Sequence, residues 1–426
     1  MFGERTPAMM NDTEKSTPVA GGARGIALLM LSAILAMTTL FPARAESLSA
    51  SDFAILMQDS VTLANHVTVD GGLIGINGDS GGDWIGPGSE VGGIRVGGDL
   101  GWLSSVNVNG DIVANGSFSF GDSNDISGSV HAGGDVTNGN KTSVGADVVA
   151  GGNVNLANGN QVDGSVHAGQ DVFSNYGKKA TVGGDVVAGN QVSLHNSKGV
   201  AGQILDSTTN PAGNPSAPAT YAPVTLPEAS SFSTGSTDIN HWQGGELTLD
   251  PGAYGDVQFN QGTTLNLTSG TYTFDSLNGT GASNLNLDLT GGGIEMYVRG
   301  TTDFAPLNVS VNGVALENLS DSQLEQAANV FLETHGDFNM WGHGSEWFGT
   351  VFAPDHAITV ANNHANLVGS LLGDNVYLAP HSTLNYVGSG HFGANALPEA
   401  DVVVALAAGL IGIAFTLRGR ASRISA

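Results

Sequence analysis

The sequence predicts an all-β fold: two three-sided parallel β-solenoid (β-helix) units with coils of about 18 residues, and one apolar helix at each end of the chain. Three observations carry this. Glycine supplies 63 of 426 residues and charged side chains only 12%, a composition far from the Ala, Glu, Lys and Leu of long helices and coiled coils. Three columns of aliphatic residues recur in step, mostly every 18 residues, between Ile94 and Ile204. Between His241 and Phe392, apolar and polar residues alternate with period two, with Gly, Asn and Asp at the joints. No strict Gly-X-Y period runs through the chain, which excludes collagen. Cysteine is absent, which excludes disulfides, thiolate zinc sites, iron–sulfur clusters and cysteine nucleophiles.

Residues 1–45 read as a signal peptide, the first of the two end helices. Arg24 precedes the apolar run Ile26–Phe41, and Pro42 and then Ala43-Arg44-Ala45 come next, a small-x-small site that places the cut before Glu46. This order implies signal peptidase as a partner and export of the chain from Glu46 onward.

Residues 46–205 form the first solenoid unit, its coils running from about Ala50 to Leu205. One column reads Ile94, Ile112, Val130, Val148, Val166, Val186, Ile204. A second reads Leu100, Phe118, Val136, Val154, Val172, Val192, and a third Val108, Ile126, Val144, Val162, Val182, Val200. A two-residue insertion around 175–179 falls at the same place in all three. Each coil carries three short runs with one or two inward aliphatics, too few to bury a core alone. Stacked at about 4.8 Å, the coils place Val on Val in a continuous interior. Gly-Gly, Gly-Asn and Asn-Gly pairs serve the corners, where positive φ is needed. Spacings of 6, 8 and 4 within a coil argue against a hexapeptide solenoid. The phrases GSVHAGGDV (128–136) and GSVHAGQDV (164–172) resemble the bactofilin-type polymer-forming β-helix repeat, which implies a right-handed solenoid and self-association.

Residues 206–238 hold five of the 14 prolines among Ser, Thr and Ala, and read as a semi-rigid linker or a strap along the solenoid. Residues 239–392 form a second solenoid-like unit. Leu247–Phe259 and Leu265–Leu277 are offset by 18, Asn284–Val298 continues the alternation, and 348–360 and 368–387 are a further diverged pair. The G-x-Y-x-F and F-G-T-V-F-A-P phrases are similar to a β-solenoid module of exported bacterial surface proteins. The exception to strand is 321–332, where Ser320 and Gln323 form a capping-box pattern for one or two helical turns.

Residues 393–426 are a sorting or anchor tail. Pro398-Glu399 leads into the apolar run Val402–Leu417 and then Arg418, Arg420 and Arg423. This order resembles the PEP-CTERM tails of Gram-negative bacteria, which implies an exosortase-type transpeptidase cutting at Pro398-Glu399, a transient membrane tether and a destination at the cell surface or outside it. Ala400 stands where that family has a second proline. A plain C-terminal membrane anchor is the alternative.

Five of the 39 acids and seven of the 13 bases lie in the end segments, leaving 34 against 6 in the body. Such a body repels polyanions, so nucleic acid is excluded as a partner. Six of the 11 histidines lie between His335 and His391, yet no H-x-x-x-H or H-E-x-x-H spacing occurs, so neither a metal nor another cofactor is expected there. Gly-Gly-Asp at 97–99, 133–135 and 183–185 suggests calcium, but at a period unlike that of the calcium-binding nonapeptides; corner Asp capping its own backbone explains it better. The one candidate ligand patch is FNMWGHGSEWF, with Trp341, His343, Trp347 and Phe348 as a glycan- or partner-binding cluster or as a core plug. No G-x-S-x-G elbow and no nominated carboxylate pair point to catalysis. The reading is a non-enzymatic structural or surface solenoid, with a carbohydrate-binding adhesin second and a polysaccharide lyase or hydrolase third.

Overall fold

A computed structural model describes residues 48–392, apart from 79–83, 175–179, 196, 210–214, 243 and 362. The expected end helices, with Ala43, Ala45, Pro398, Glu399 and Val402–Leu417, lie outside the described residues, as do Lys178 and Lys179. No helix among the described residues is long and apolar enough to cross a membrane. The described residues form an all-β parallel solenoid of about 16 turns with little helix.

The three sequence columns become three parallel ladders. Val130 pairs with Ile112 and Val148, Val136 with Phe118 and Val154, and Val144 with Ile126 and Val162, so each column is one file of inward side chains. These aliphatics are almost fully buried from Ile94 to Val186. In the later stretch Leu265 pairs with Leu247 and Leu285, and Met296 with Tyr272 and Leu332, in the same manner.

The two repeat stretches share their ladders. Strand Phe53–Leu63 lies between Asn366–Leu378 on one side and Leu73–Ile76 and Trp84–Ile85 on the other, all parallel. Thr68–Asp70 likewise pairs with Thr383–Tyr386. The last coils of the later stretch therefore stack on the first coil of the earlier one, and one hydrophobic core runs from Leu249 through Leu378 and Val61 to Val186.

Only the third ladder is interrupted. After Thr302–Val311 the chain leaves the stack. Val314–Ala315 folds back antiparallel, and a short helix, Asp321–Leu324, opens with the Ser320–Gln323 capping box before a 3-10 turn, Glu325–Asn329. Strand resumes at Val330. At the gap the Glu346 carboxylate accepts the Val309 N–H at 2.7 Å, in place of a strand carbonyl, and its burial raises its pKa.

Residues 215–235 run back along the outer face of the first ladder. The N–H groups of Ser216 and Ala219 donate to Nδ1 of His167 and His131 (3.3 and 3.2 Å), Tyr221 exchanges backbone bonds with the Asn115 amide, and Val224 with that of Asn77. Further along, Ser230 N–H meets Glu333, and the ring of Phe232 lies on Tyr297 and His335. The spacing has a simple origin. An extended segment rises about 3.1–3.3 Å per residue, so three residues cover about 9–10 Å, the height of two coils. The strap thus meets histidines two coils apart, with Val113, Val149 and Val187 buried on the rows adjoining them. Tyr221 and Leu226 join Phe53, Leu56, Phe331, Phe352 and Leu372 in a second, smaller core outside the coil.

Candidate functional site

The four candidate residues of the FNMWGHGSEWF phrase divide between core and surface. Trp347 is 1% exposed, tilts against Phe338 (5.3 Å between centroids), stacks on Phe304 (5.9 Å), and donates its indole N–H to the Gly349 carbonyl. Phe348 and Phe338 are also buried. Alternation fails along this part of the long strand, where residues 347–354 are all buried, and Gly349 within it has a φ of +123°. Only Trp341 (45% exposed) and His343 face solvent.

The histidines divide among several surroundings. His335 Nε2 lies 2.7 Å from buried Glu333, His356 is 3.5 Å from Asp337, and His391 stacks on Phe331 beside Glu295. Four others form a file that the sequence did not reveal. His343, His364, His381 and His66 succeed one another up a corner at centroid distances of 5.0, 4.9 and 5.0 Å. His364, His381 and His66 each have φ near +60°, the left-handed conformation this corner requires. In the last two pairs the rings are within 10° of parallel, so their nitrogen lone pairs point side by side instead of converging on one ion. Among the described residues no group of three or more metal-ligating side chains is placed to hold an ion.

The recurrent corner acids have a different employment. Asp99 accepts the Ser117 N–H (2.6 Å), Ser117 Oγ the Asp135 N–H, Asp135 the Asn153 N–H (2.6 Å), and Asn153 the Asp171 N–H. A parallel file runs through Asp111, Ser129, Asp147, Ser165 and Asp185. Each corner oxygen satisfies a backbone donor of the next coil, which explains why Asp, Asn and Ser interchange there.

The outer face of the second ladder is the surface with the most distinct chemistry. In the later stretch the register aligns Asn240, Gln258, Asn278, Asp303, Asn339 and Thr359. Across the junction Thr359 aligns with Tyr377, Tyr377 with Thr62, and Thr62 with Trp84; the Ile85–Leu103 pair then sets Trp84 beside Trp102. Beyond a bulge the file continues through Ser119, Thr137, Asn155, Phe173 and Ser193. One residue of this file is charged, Asp303, and its carboxylate is bound by the Asn339 amide at 2.8 Å. Trp102, Trp84 and Tyr377 are 57%, 40% and 38% exposed. Trp84 and Trp102 are 18 apart and could have been paired from the repeat; Tyr377 could not.

The fold defines the class: a parallel β-solenoid with a mostly uncharged file carrying three exposed aromatic rings on one outer face. Residues 225–389 match the family model described as a domain of unknown function, DUF7305. No curated protein matches the chain. Among solved structures, the chain is similar to an ice-binding protein from an Antarctic bacterium of the Flavobacteriaceae, at 14% identity, over 80% of this chain and 96% of that one, with a TM-score of 0.21; a likeness that slight bears no weight.

Proposed function

We propose that this chain is an exported, non-enzymatic structural β-solenoid of a bacterial cell envelope or extracellular matrix. The observation that supports it is the stacking of two repeat stretches through one junction on a single core, with hydrogen-bonded corners. That arrangement devotes the chain to a stiff, extended surface. In this reading signal peptidase cuts after Ala45, an exosortase-type transpeptidase acts at Pro398-Glu399, and Val402–Leu417 tethers the protein until then. Strand edges at the two ends of the ladders favour self-association. The second reading, a carbohydrate-binding adhesin, no longer rests on Trp341, His343, Trp347 and Phe348, because two of the four are core residues. A lyase or hydrolase stands third. Intact mass of the native protein after cell fractionation tests the main reading. Loss of about 45 N-terminal residues and a cut near Pro398 are expected in an envelope or medium fraction. A full-length cytoplasmic chain would sink it.

A further inference from the structure

We propose that the outer face of the second ladder, centred on Trp84 and Trp102, binds a neutral, extended polysaccharide lying along the stack of coils. A scaffold needs no ligand, so this binding goes beyond the scaffold reading and does not depend on export.

Exposed aromatics are the first ground. Tyr377, Trp84 and Trp102 project from one file within four consecutive rows, about 14 Å at the strand spacing. Each keeps a large apolar ring in water although a core is available one residue away, at Val376, Ile85 and Leu103. A flat ring in such a position suits the C–H face of a pyranose. The hydroxyls at the edge of that sugar need donors and acceptors, and Thr62, Thr359 and Asn339 supply them from the same file.

Charge selects the kind of polymer. The chain carries a net charge of −26, and its acids crowd the corners, yet this file holds one acid, already bound by Asn339. A polyanion is repelled by the surroundings, and a polycation finds its partners at the corners instead. What remains complementary is an uncharged chain rich in hydroxyl groups.

Geometry points the same way. The rows repeat about every 4.8 Å, comparable to the rise of one sugar in an extended β-linked glycan, so successive residues can meet successive sugars. The surface is also pre-positioned. A Cβ at Gly121 would fall 2.6 Å from the indole nitrogen of Trp102, so the ring rests over the bare backbone of the next coil. A side chain at position 121 would force the Trp102 ring and Ser104 to shift.

Affinity electrophoresis of the purified full chain tests the proposal, in gels containing hydroxyethylcellulose, xylan or glycol chitin, with polygalacturonate as the anionic counterpart. Retardation by at least one neutral polymer and none by polygalacturonate is expected. Trp84→Ala/Trp102→Ala should weaken retardation at least tenfold and Gly121→Val markedly, with circular dichroism and melting near wild type for the tryptophan variant. Trp341→Ala should be retarded like wild type. The proposal is overturned if no neutral polymer retards the protein, if polygalacturonate retards it equally, or if the double variant behaves as wild type. Fractionation of the native protein leaves each of these outcomes unaffected, so the two readings fail separately.

Discussion

The junction between the two repeat stretches makes the sharpest prediction. Ile55 and Val61 are both buried on strand Phe53–Leu63, where they pair with Leu371 and Val376 of a strand more than 300 residues away in sequence. Replacing Ile55 with Ala costs about 2–5 kcal/mol from the lost transfer energy and the cavity. Val61→Ala removes two methyl groups at about 0.8 kcal/mol each, or about 2 kcal/mol with its cavity. The two sites belong to different ladders on either side of a register shift and do not pair with a common residue, so their effects add to about 4–7 kcal/mol. In a stacked array each coil is stabilised by its immediate neighbours, so the loss concentrates at this interface. At about 1.4 kcal/mol per factor of ten, opening there rises about 10³- to 10⁵-fold. Hydrogen exchange followed by mass spectrometry should show Phe53–Leu63 and Asn366–Leu378 losing protection together in the double variant, with Val148–Ala150 far less affected. Unchanged exchange in Asn366–Leu378 would refute the continuous ladder.

Three other outcomes are expected. Trp347→Ala should lower thermal stability by about 3–5 kcal/mol, because it empties a core site packed by Phe304 and Phe338; Trp341→Ala, at the surface, should stay within about 0.5 kcal/mol in the same denaturant titration. Burial lowers the pKa of His131 from its ordinary 6.5, with Asp111 and Asp147 opposing and Arg95 assisting, and its Nδ1 must be unprotonated to accept the Ala219 N–H. The unfolded chain takes up this proton first, so the strap's anchorage is complete above about pH 6.5 and weakens as pH falls below it; elastase cleavage of the strap should rise between pH 7 and 5, less so in His131→Gln. Calcium at millimolar concentration should leave the melting temperature unchanged relative to EDTA, because the corner carboxylates Asp99 and Asp135 are engaged with backbone donors; a rise of several degrees in calorimetry would contradict this.

Much of the coil was legible because its determinants are local and repeated. A column such as Val130, Val148, Val166 states both the period and the inward face, and Ser320 with Gln323 three residues later marks the start of the short helix. The equivalence of His131 and His167 was legible too, though not its use, because the strap residues that bind them lie 49 to 88 positions further on. The FNMWGHGSEWF phrase, which the sequence left open between patch and core plug, shows the opposite limit. Strand alternation predicts one outward and one inward residue for Trp347-Phe348, but the strand is buried on both faces from 347 to 354.

By itself, then, the sequence determined an all-β solenoid, its three inward columns and its glycine and acid corners, since each arises from side chains that repeat with the coil, and it marked a proline-rich break without saying where that segment runs. The tertiary structure alone decided that the last coils of the chain stack on the first. Backbone donors and acceptors on a strand edge are the same for every sequence, so nothing local names the partner of Phe53–Leu63. The histidine file from His343 to His66 and the aromatic file from Tyr377 to Trp102 both cross that junction, and so both came into being with the fold.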